Sequence, residues 1–292
     1  MELHNIEAFV KVAERSSFSG AAEVLHLTQP AVSKRVAALE QTLSVKLFDR
    51  VGRRIILTEA GKTILTKCQL ILNTVDDTQK TIHNLSGHVA GTLSIGTSHH
   101  IGLHHLPPVL RQYVRLHPKV EMDIHFLSSE QVCEMVKNGD IELGIITLPN
   151  EALENLLAKE LWHDPMQFVV SADHSLAQRK RCDLSHLTNV KAILPEKGTY
   201  THSIIEKEFR QSGYELKSMF ATNYLQTIKM MVSVGLGWSV LPVTLIDKEL
   251  HTLNVPGIKL SRKLGIVQHK DRTLSNAALA ISALLKNNRP GK

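Results

Sequence analysis

Cysteine is scarce: Cys68, Cys133 and Cys182 are the three in 292 residues. An odd number at such wide spacings supplies no disulfide framework and fits free thiols in a reducing cytoplasm. Long hydrophobic runs are lacking as well. An uncharged and largely apolar stretch, residues 230–246, is broken by two glycines and Pro242. It falls short of the ~20 apolar residues of a membrane helix and reads as a buried strand and turn. The opening MELHNIEAFV carries Glu2 and Glu7 instead of the basic region and apolar core of a secretion signal, so the expectation is a cytoplasmic protein with no membrane partner. Catalytic signatures are missing too. No G-x-S-x-G elbow, P-loop or H-E-x-x-H occurs, and GLGWSV at 235–240 is half of a dinucleotide fingerprint whose glycines tight backbone packing explains. Neither an enzyme nor a resident cofactor is expected.

What is present is an ordinary globular composition, 43% hydrophobic and 21% charged, on a chain long enough for two or three domains. The net charge of +6 invites a nucleic-acid reading, but its distribution does not locate one. Lys+Arg against Asp+Glu is 8 to 7 over residues 1–60, 19 to 20 over 61–260 and 7 to 1 over 261–292. The basic C-terminal end reads as a solvated last helix and tail.

Local pattern is more informative. In LTQPAVSKRVAALE, residues 27–40, Val32, Val36 and Leu39, continued by Leu43, form one narrow helical stripe. Thr28 is a good N-cap and Pro30 is tolerated in the first turn. Pro30, Lys34, Ala37 and Gln41 point away from the stripe, with Ala31 and Ser33 on its flanks. A helix that enters the major groove must bring its backbone close to DNA, so small residues, hydroxyls and a cation suit that face. The candidate DNA-contacting residues are Thr28, Gln29, Pro30, Ala31, Ser33 and Lys34. Upstream, SSFSGAAEVLHL reads as a short helix capped by Ser17 or Ser19, with Ala21, Ala22 and Leu25 inward, which completes a helix-turn-helix over 18–37. A pair of helices in any compact bundle is the competing reading. KLFDRVGRRIILTEAG then predicts a β-hairpin wing whose tip at Gly52 presents Arg53 and Arg54 to phosphates; a solvated basic turn is its rival.

After the wing, Gly61, Ile64, Cys68, Ile71, Val75, Thr78, Ile82 and Leu85 alternate steps of three and four. This predicts a linker helix over 58–87 carrying a coiled-coil seam, with packing on its own domain as the alternative. SGHVAG at 86–91 reads as a hinge.

The stretch IEAFVKVAERSSFSGAAEVLHLTQPAVSKRVAALEQTLSVKLFDR, followed by LTEAG, resembles the winged-helix signature of the LysR-type transcriptional regulators, and the likeness extends over the whole chain. One departure is Ser44, where the family usually has a glycine that closes the recognition helix. The resemblance implies an N-terminal winged helix-turn-helix (1–60), mainly α, a long linker and dimerisation helix, and an α/β periplasmic-binding-protein-like effector domain (92–292) of two subdomains, 92–162 with 263–292 and 163–262. It implies homodimers or homotetramers on interrupted inverted repeats of double-stranded DNA, a small organic effector, and RNA polymerase as a further candidate partner.

Residues 92–292 carry strand-like runs, TLSIGTS, VEMDIHFL and IELGIITLP, separated by helical segments, which predicts a mainly parallel sheet with ligands at its strand ends. A second unit begins near His163. Thr97, Ser98, His99 and His100 follow the first strand, Ser128 and Ser129 the second, and Thr147 the third. Gly198, Thr199, Tyr200 and Thr201 open a helix of the second unit, and Thr222 and Asn223 follow another strand. Such hydroxyl-rich strand ends suit a small organic anion in a cleft; plain N-capping is the competing reading for each. Three alternatives stand beside this regulator. A solute-binding transport protein would share the effector fold, but it lacks the DNA-binding half and needs a signal peptide. A metal-responsive regulator would use His99, His100, His104 and His105, near which the sequence has no Cys, Asp or Glu. A redox-responsive one would use Cys182, whose neighbours in RKRCDL should lower its pKa.

Overall fold

The computed structural model describes residues 1–52 and 54–288. The chain forms two compact units, Met1–Ser86 and a second from Gly87 onward. Among the described residues no helix is long and apolar enough to cross a membrane.

The first unit comprises α1 (Leu3–Arg15), α2 (Phe18–Val24), α3 (Gln29–Leu43), the antiparallel hairpin β1 (Phe48–Val51) and β2 (Arg54–Leu57), and α4 (Glu59–Leu85). α1 is its central element. One side packs Ile6, Phe9 and Val10 on Leu39, Leu47 and Cys68, and the other packs Ala8 and Val12 on Ala21, Ala22, Val32 and Val36. Ser17, not Ser19, caps α2, its Oγ accepting the Gly20 N–H at 3.1 Å. His26 takes a left-handed conformation (φ 52°) in the turn, and Thr28 caps α3 by accepting the Ala31 N–H at 3.4 Å. Glu40 then ties the end of α3 to the wing by accepting the Leu47 N–H at 2.8 Å and pairing with Lys46 at 2.7 Å.

Two backbone positions explain residue choice. Gly61 lies so close to the segment preceding the wing that a Cβ there would sit 2.3 Å from the Leu47 carbonyl oxygen. Ser44, the departure from the family pattern, is indeed left-handed (φ 55°, ψ 29°) where it closes α3. A side chain at that conformation costs about 0.5–1 kcal/mol relative to glycine. Ser44→Gly should therefore stabilise the unit, and slow exchange of the buried Val36 and Leu39 amides in the full chain by about 2–5-fold; unchanged exchange would show that local packing already offsets the strain.

α4 runs 27 residues, about 40 Å at 1.5 Å per residue. It does not present one continuous seam. Ile64, Leu65, Cys68, Ile71 and Leu72 pack into the core of their own unit, whereas Leu70, Ile82 and Leu85 are exposed, the last two at 63% and 80%. The predicted seam is thus divided: its proximal half roofs the winged helix, whose core would otherwise be open to water, and only its distal part is free.

In the second unit, β3 (Gly91–Thr97), α5 (His99–His104), α6 (Leu106–Leu116), β4 (Val120–Phe126), α7 (Ser129–Asn138) and β5 (Leu143–Thr147) lead into the long β6 (Leu156–Ser171). Then come α8 (Leu184–Thr188), β7 (Ala192–Leu194), α9 (Tyr200–Gln211), β8 (Ser218–Ala221), α10 (Leu225–Ser233), β9 (Ser239–Pro242), β10 (Leu250–Thr252), β11 (Leu260–His269) and α11 (Asn276–Asn287). The large sheet has seven strands in the order β10-β6-β11-β5-β3-β4, with β9 also on β6. β3 is parallel to β4 and β5, but every pairing of β6 and β11 is antiparallel. The expectation of a mainly parallel sheet is corrected accordingly. The chain leaves one core on β6 and returns to it on β11, and an outward and a homeward strand lying side by side must be antiparallel. Before this crossing and after it, Leu93, Ile95, Trp162, Leu264 and Ile281 share one core. Between its two legs, Phe168, Phe209, Trp238 and Leu260 share another.

Candidate functional site

Two sites are built, one in each unit. On α3 the stripe of Val32, Val36 and Leu39 is buried. Thr28, Gln29, Pro30 and Lys34 are exposed on the opposite face, with Ala31 and Ser33 half-buried beside them. The Gln29 amide donates to the Ser33 hydroxyl at 2.9 Å, which fixes two groups able to read base edges. In the wing, Val51 pairs with Arg54 in register, Gly52 is left-handed (φ 63°) and Arg54 is exposed. Arg53 lies outside the described residues.

The second site is a cavity of about 430 Å³ in the unit from Gly87 onward. The starts of α5, α7, α9 and α10 all contribute to its wall. Ser98, Ser128 and Thr199 are N-caps there, accepting the N–H groups of Ile101 (3.5 Å), Gln131 (3.2 Å) and His202 (3.2 Å). Ser129 accepts the Thr147 N–H at 3.1 Å, joining α7 to the end of β5; both line the cavity. Thr201, Thr222, Asn223, His99 and His100 line it as well. Asn223 is held by Glu196, whose N–H it accepts (3.2 Å) and whose carboxylate it donates to (2.9 Å). His99 lies between the rings of Phe126 and Tyr224.

Three of the candidates stand apart. Thr97 is buried, its hydroxyl donating to the Ile145 carbonyl at 2.8 Å, so the sheet uses it. Gly198 and Tyr200 face a different cavity, of about 640 Å³. The Tyr200 hydroxyl meets the Cys133 thiol at 3.7 Å, and its N–H is donated to the Glu130 carboxylate at 2.6 Å.

Sequence reasoning missed Phe126, Glu130, Gln131, Glu196, Tyr224 and above all Arg262 among the cavity lining. Arg262 faces Asp164 across the β6–β11 ladder. Its Nε donates to the Asp164 carboxylate at 3.0 Å, an Nη2 bond adds to this, and Nη1 donates to Thr201 at 3.3 Å. The two residues are only 3% and 2% exposed. A signal existed: Leu260, Arg262, Leu264 and Ile266 share one parity, as do Trp162, Asp164, Met166 and Phe168, so each strand interrupts an apolar face with one charge.

Beside this pair lies a histidine cluster. His100 Nε2 is 3.8 Å from Asp164 Oδ2, and His105 stacks on Trp162 with centroids 5.1 Å apart. Burial, reinforced by the charges of Arg262, His104 and His105, pushes His100 down to about 2, so its imidazole is neutral at pH 7, and burial also lowers His105. The sequence places no acid near these histidines, but β6 delivers Asp164 from 59 residues beyond His105. The redox reading of Cys182 is corrected in the other direction. Burial raises its pKa despite the opposing charge of Arg179, and the side chain is 1% exposed.

Comparison with known proteins matches a family model to each unit. Residues 3–62 match the family model of the bacterial regulatory helix-turn-helix protein, lysR family, and residues 86–289 match the LysR substrate binding domain. Over 108 residues, 37% of this chain and 75% of the relative, it is 58% identical to an uncharacterized HTH-type transcriptional regulator in the ibpB-leuC intergenic region of Azotobacter vinelandii. It is 33% identical to the RuBisCO operon transcriptional regulator of Acidithiobacillus ferrooxidans, over 89% of this chain and 85% of that one. The fold is shared with a full-length, point-substituted OxyR from Pseudomonas aeruginosa at a TM-score of 0.71, 23% identity and 98% coverage of each chain. With a helix-turn-helix match at one end and a substrate-binding match over most of the remainder, the chain belongs to the LysR family of transcriptional regulators.

Proposed function

We propose that this protein is a sequence-specific DNA-binding regulator whose activity is set by a small organic anion in the 430 Å³ cavity. The observation that carries the reading is the convergence of capped helix starts, at Ser98, Ser128 and Thr199, on one cavity with Arg262. Helix N-termini and a guanidinium favour negative charge, and the volume suits a small metabolite. The carboxylates of Glu130 and Glu196 on the same wall narrow the class: the effector must also offer hydrogen-bond donors to them. The exposed face of α3 supports DNA rather than transport as the outlet of binding, and its curated relatives are regulators. Homodimers or homotetramers on interrupted inverted repeats, acting with RNA polymerase in the cytoplasm, complete the proposal.

Footprinting of genomic fragments by the purified protein identifies the operator and, from the adjoining genes, effectors to titrate. Ser33→Ala and Lys34→Ala should each weaken operator binding by about 1–3 kcal/mol without unfolding the chain; unchanged affinity in both would remove that face from the interface. Ser98→Ala and Thr199→Ala should each lose about 1.5–3 kcal/mol of effector affinity by calorimetry while footprints persist. Normal effector affinity in both variants would put the pocket elsewhere.

A further inference from the structure

The buried histidine cluster has chemistry that neither DNA binding nor the cavity's hydroxyls require. His100, His105 and Asp164 are 3%, 6% and 2% exposed. His100 Nδ1 and both ring nitrogens of His105 have no hydrogen-bond partner among the described residues. A neutral imidazole carries one N–H and one lone pair, and burying both without partners is costly. One ligand atom from each of the three residues lies within 4.8 Å of the other two. Ligands at 2.0–2.2 Å from a tetrahedral ion stand about 3.4 Å apart, so modest side-chain rotations would close the set.

We propose that His100, His105 and Asp164 form a binding site for a divalent transition-metal ion of the zinc class, at the inner wall of the cavity. The donor set decides the class. Two imidazoles and one carboxylate suit Zn²⁺, Co²⁺ or Ni²⁺; magnesium and calcium prefer oxygen throughout, and copper(I) prefers sulfur. The surroundings fit a ligand set. Stacking on Trp162, whose Nε1 donates to the Asn288 carbonyl at 2.8 Å, orients the His105 ring. Arg262 hydrogen-bonds the Asp164 carboxylate, the kind of outer partner that ligating carboxylates have. His104, with its ring 4.9 Å from that of His100, stands next to the set. His100 also lines the cavity, which gives an ion its way in.

The test uses the full chain, stripped with a chelator and titrated with Zn²⁺ against a chromophoric competitor. One ion per chain should bind with a Kd below about 1 µM, and His105→Phe, which keeps a ring against Trp162, should weaken it by about 100-fold or more. His125→Ala, in a half-buried histidine that pairs with Asp123 on β4, should not. A second reading needs no ligand variant: the chain has two tryptophans, so Trp238→Phe leaves Trp162 as the sole reporter, and stoichiometric Co²⁺ should quench it. Binding no tighter than about 10 µM, an unchanged Kd in folded His105→Phe, or stoichiometric Co²⁺ that leaves Trp162 unquenched would each overturn the proposal.

Discussion

Arg262→Ala lowers the stability of the second unit by about 3–5 kcal/mol, the expected cost of removing one partner from a buried ion pair. The size follows from what remains. Asp164 loses two hydrogen bonds and its counter-charge while its side chain stays 2% exposed, and Thr201 loses its donor as well. Arg262 and Asp164 face each other in the ladder between β6 and β11, the longest pairing of the sheet. Denaturation followed by tryptophan fluorescence reads the effect directly, since Trp162 and Trp238 both lie in this unit. Arg262→Met with Asp164→Leu should recover most of the loss, because apolar residues of similar size often replace buried pairs at little cost. A single-variant loss under about 1 kcal/mol would mean that the pair is hydrated, against its burial.

Ile82→Asp combined with Leu85→Asp separates the dimer that the proposed function requires. Both side chains are exposed at the free end of α4, and each isoleucine or leucine buried between two chains is worth about 1.5–3 kcal/mol. Opposed carboxylates would replace that gain with repulsion. A monomer engages one half of an inverted repeat at a time, so operator affinity should fall by about 10²–10⁴. Ile71→Asp makes the contrast, because Ile71 belongs to the winged-helix core; that substitution should unfold the unit rather than dissociate it. Sedimentation showing an intact dimer of the double variant would move the interface off this end of the helix.

The winged helix was legible because its determinants are local: Thr28 and Ser17 cap helices a few residues away, and Gly52 turns a hairpin of adjacent strands. The strand-end hydroxyls were legible for the same reason. What periodicity cannot convey is the identity of the partner. The seam of α4 looks uniform along the chain, yet Ile71 meets its own domain and Leu85 does not. Arg262 and Asp164, 98 residues apart, meet only through strand register, and with them the histidine cluster acquires its acid. The antiparallel crossing was hidden likewise, since a strand does not state its direction relative to a neighbour not yet formed.

Glu130 reaches from α7 to the first N–H of α9 at 2.6 Å. This helix start therefore already holds a tethered carboxylate, present at a fixed local concentration that no solute at ordinary abundance matches. Chloride, phosphate and simple monocarboxylates must displace it and offer little in return. Under the proposed function, an effector able to engage several walls at once would do so, and its arrival would release Glu130 as a group that changes partner. Under the proposed function, background anions would thus be screened out by an internal competitor, and the threshold of the response would be tied to the strength of one hydrogen bond.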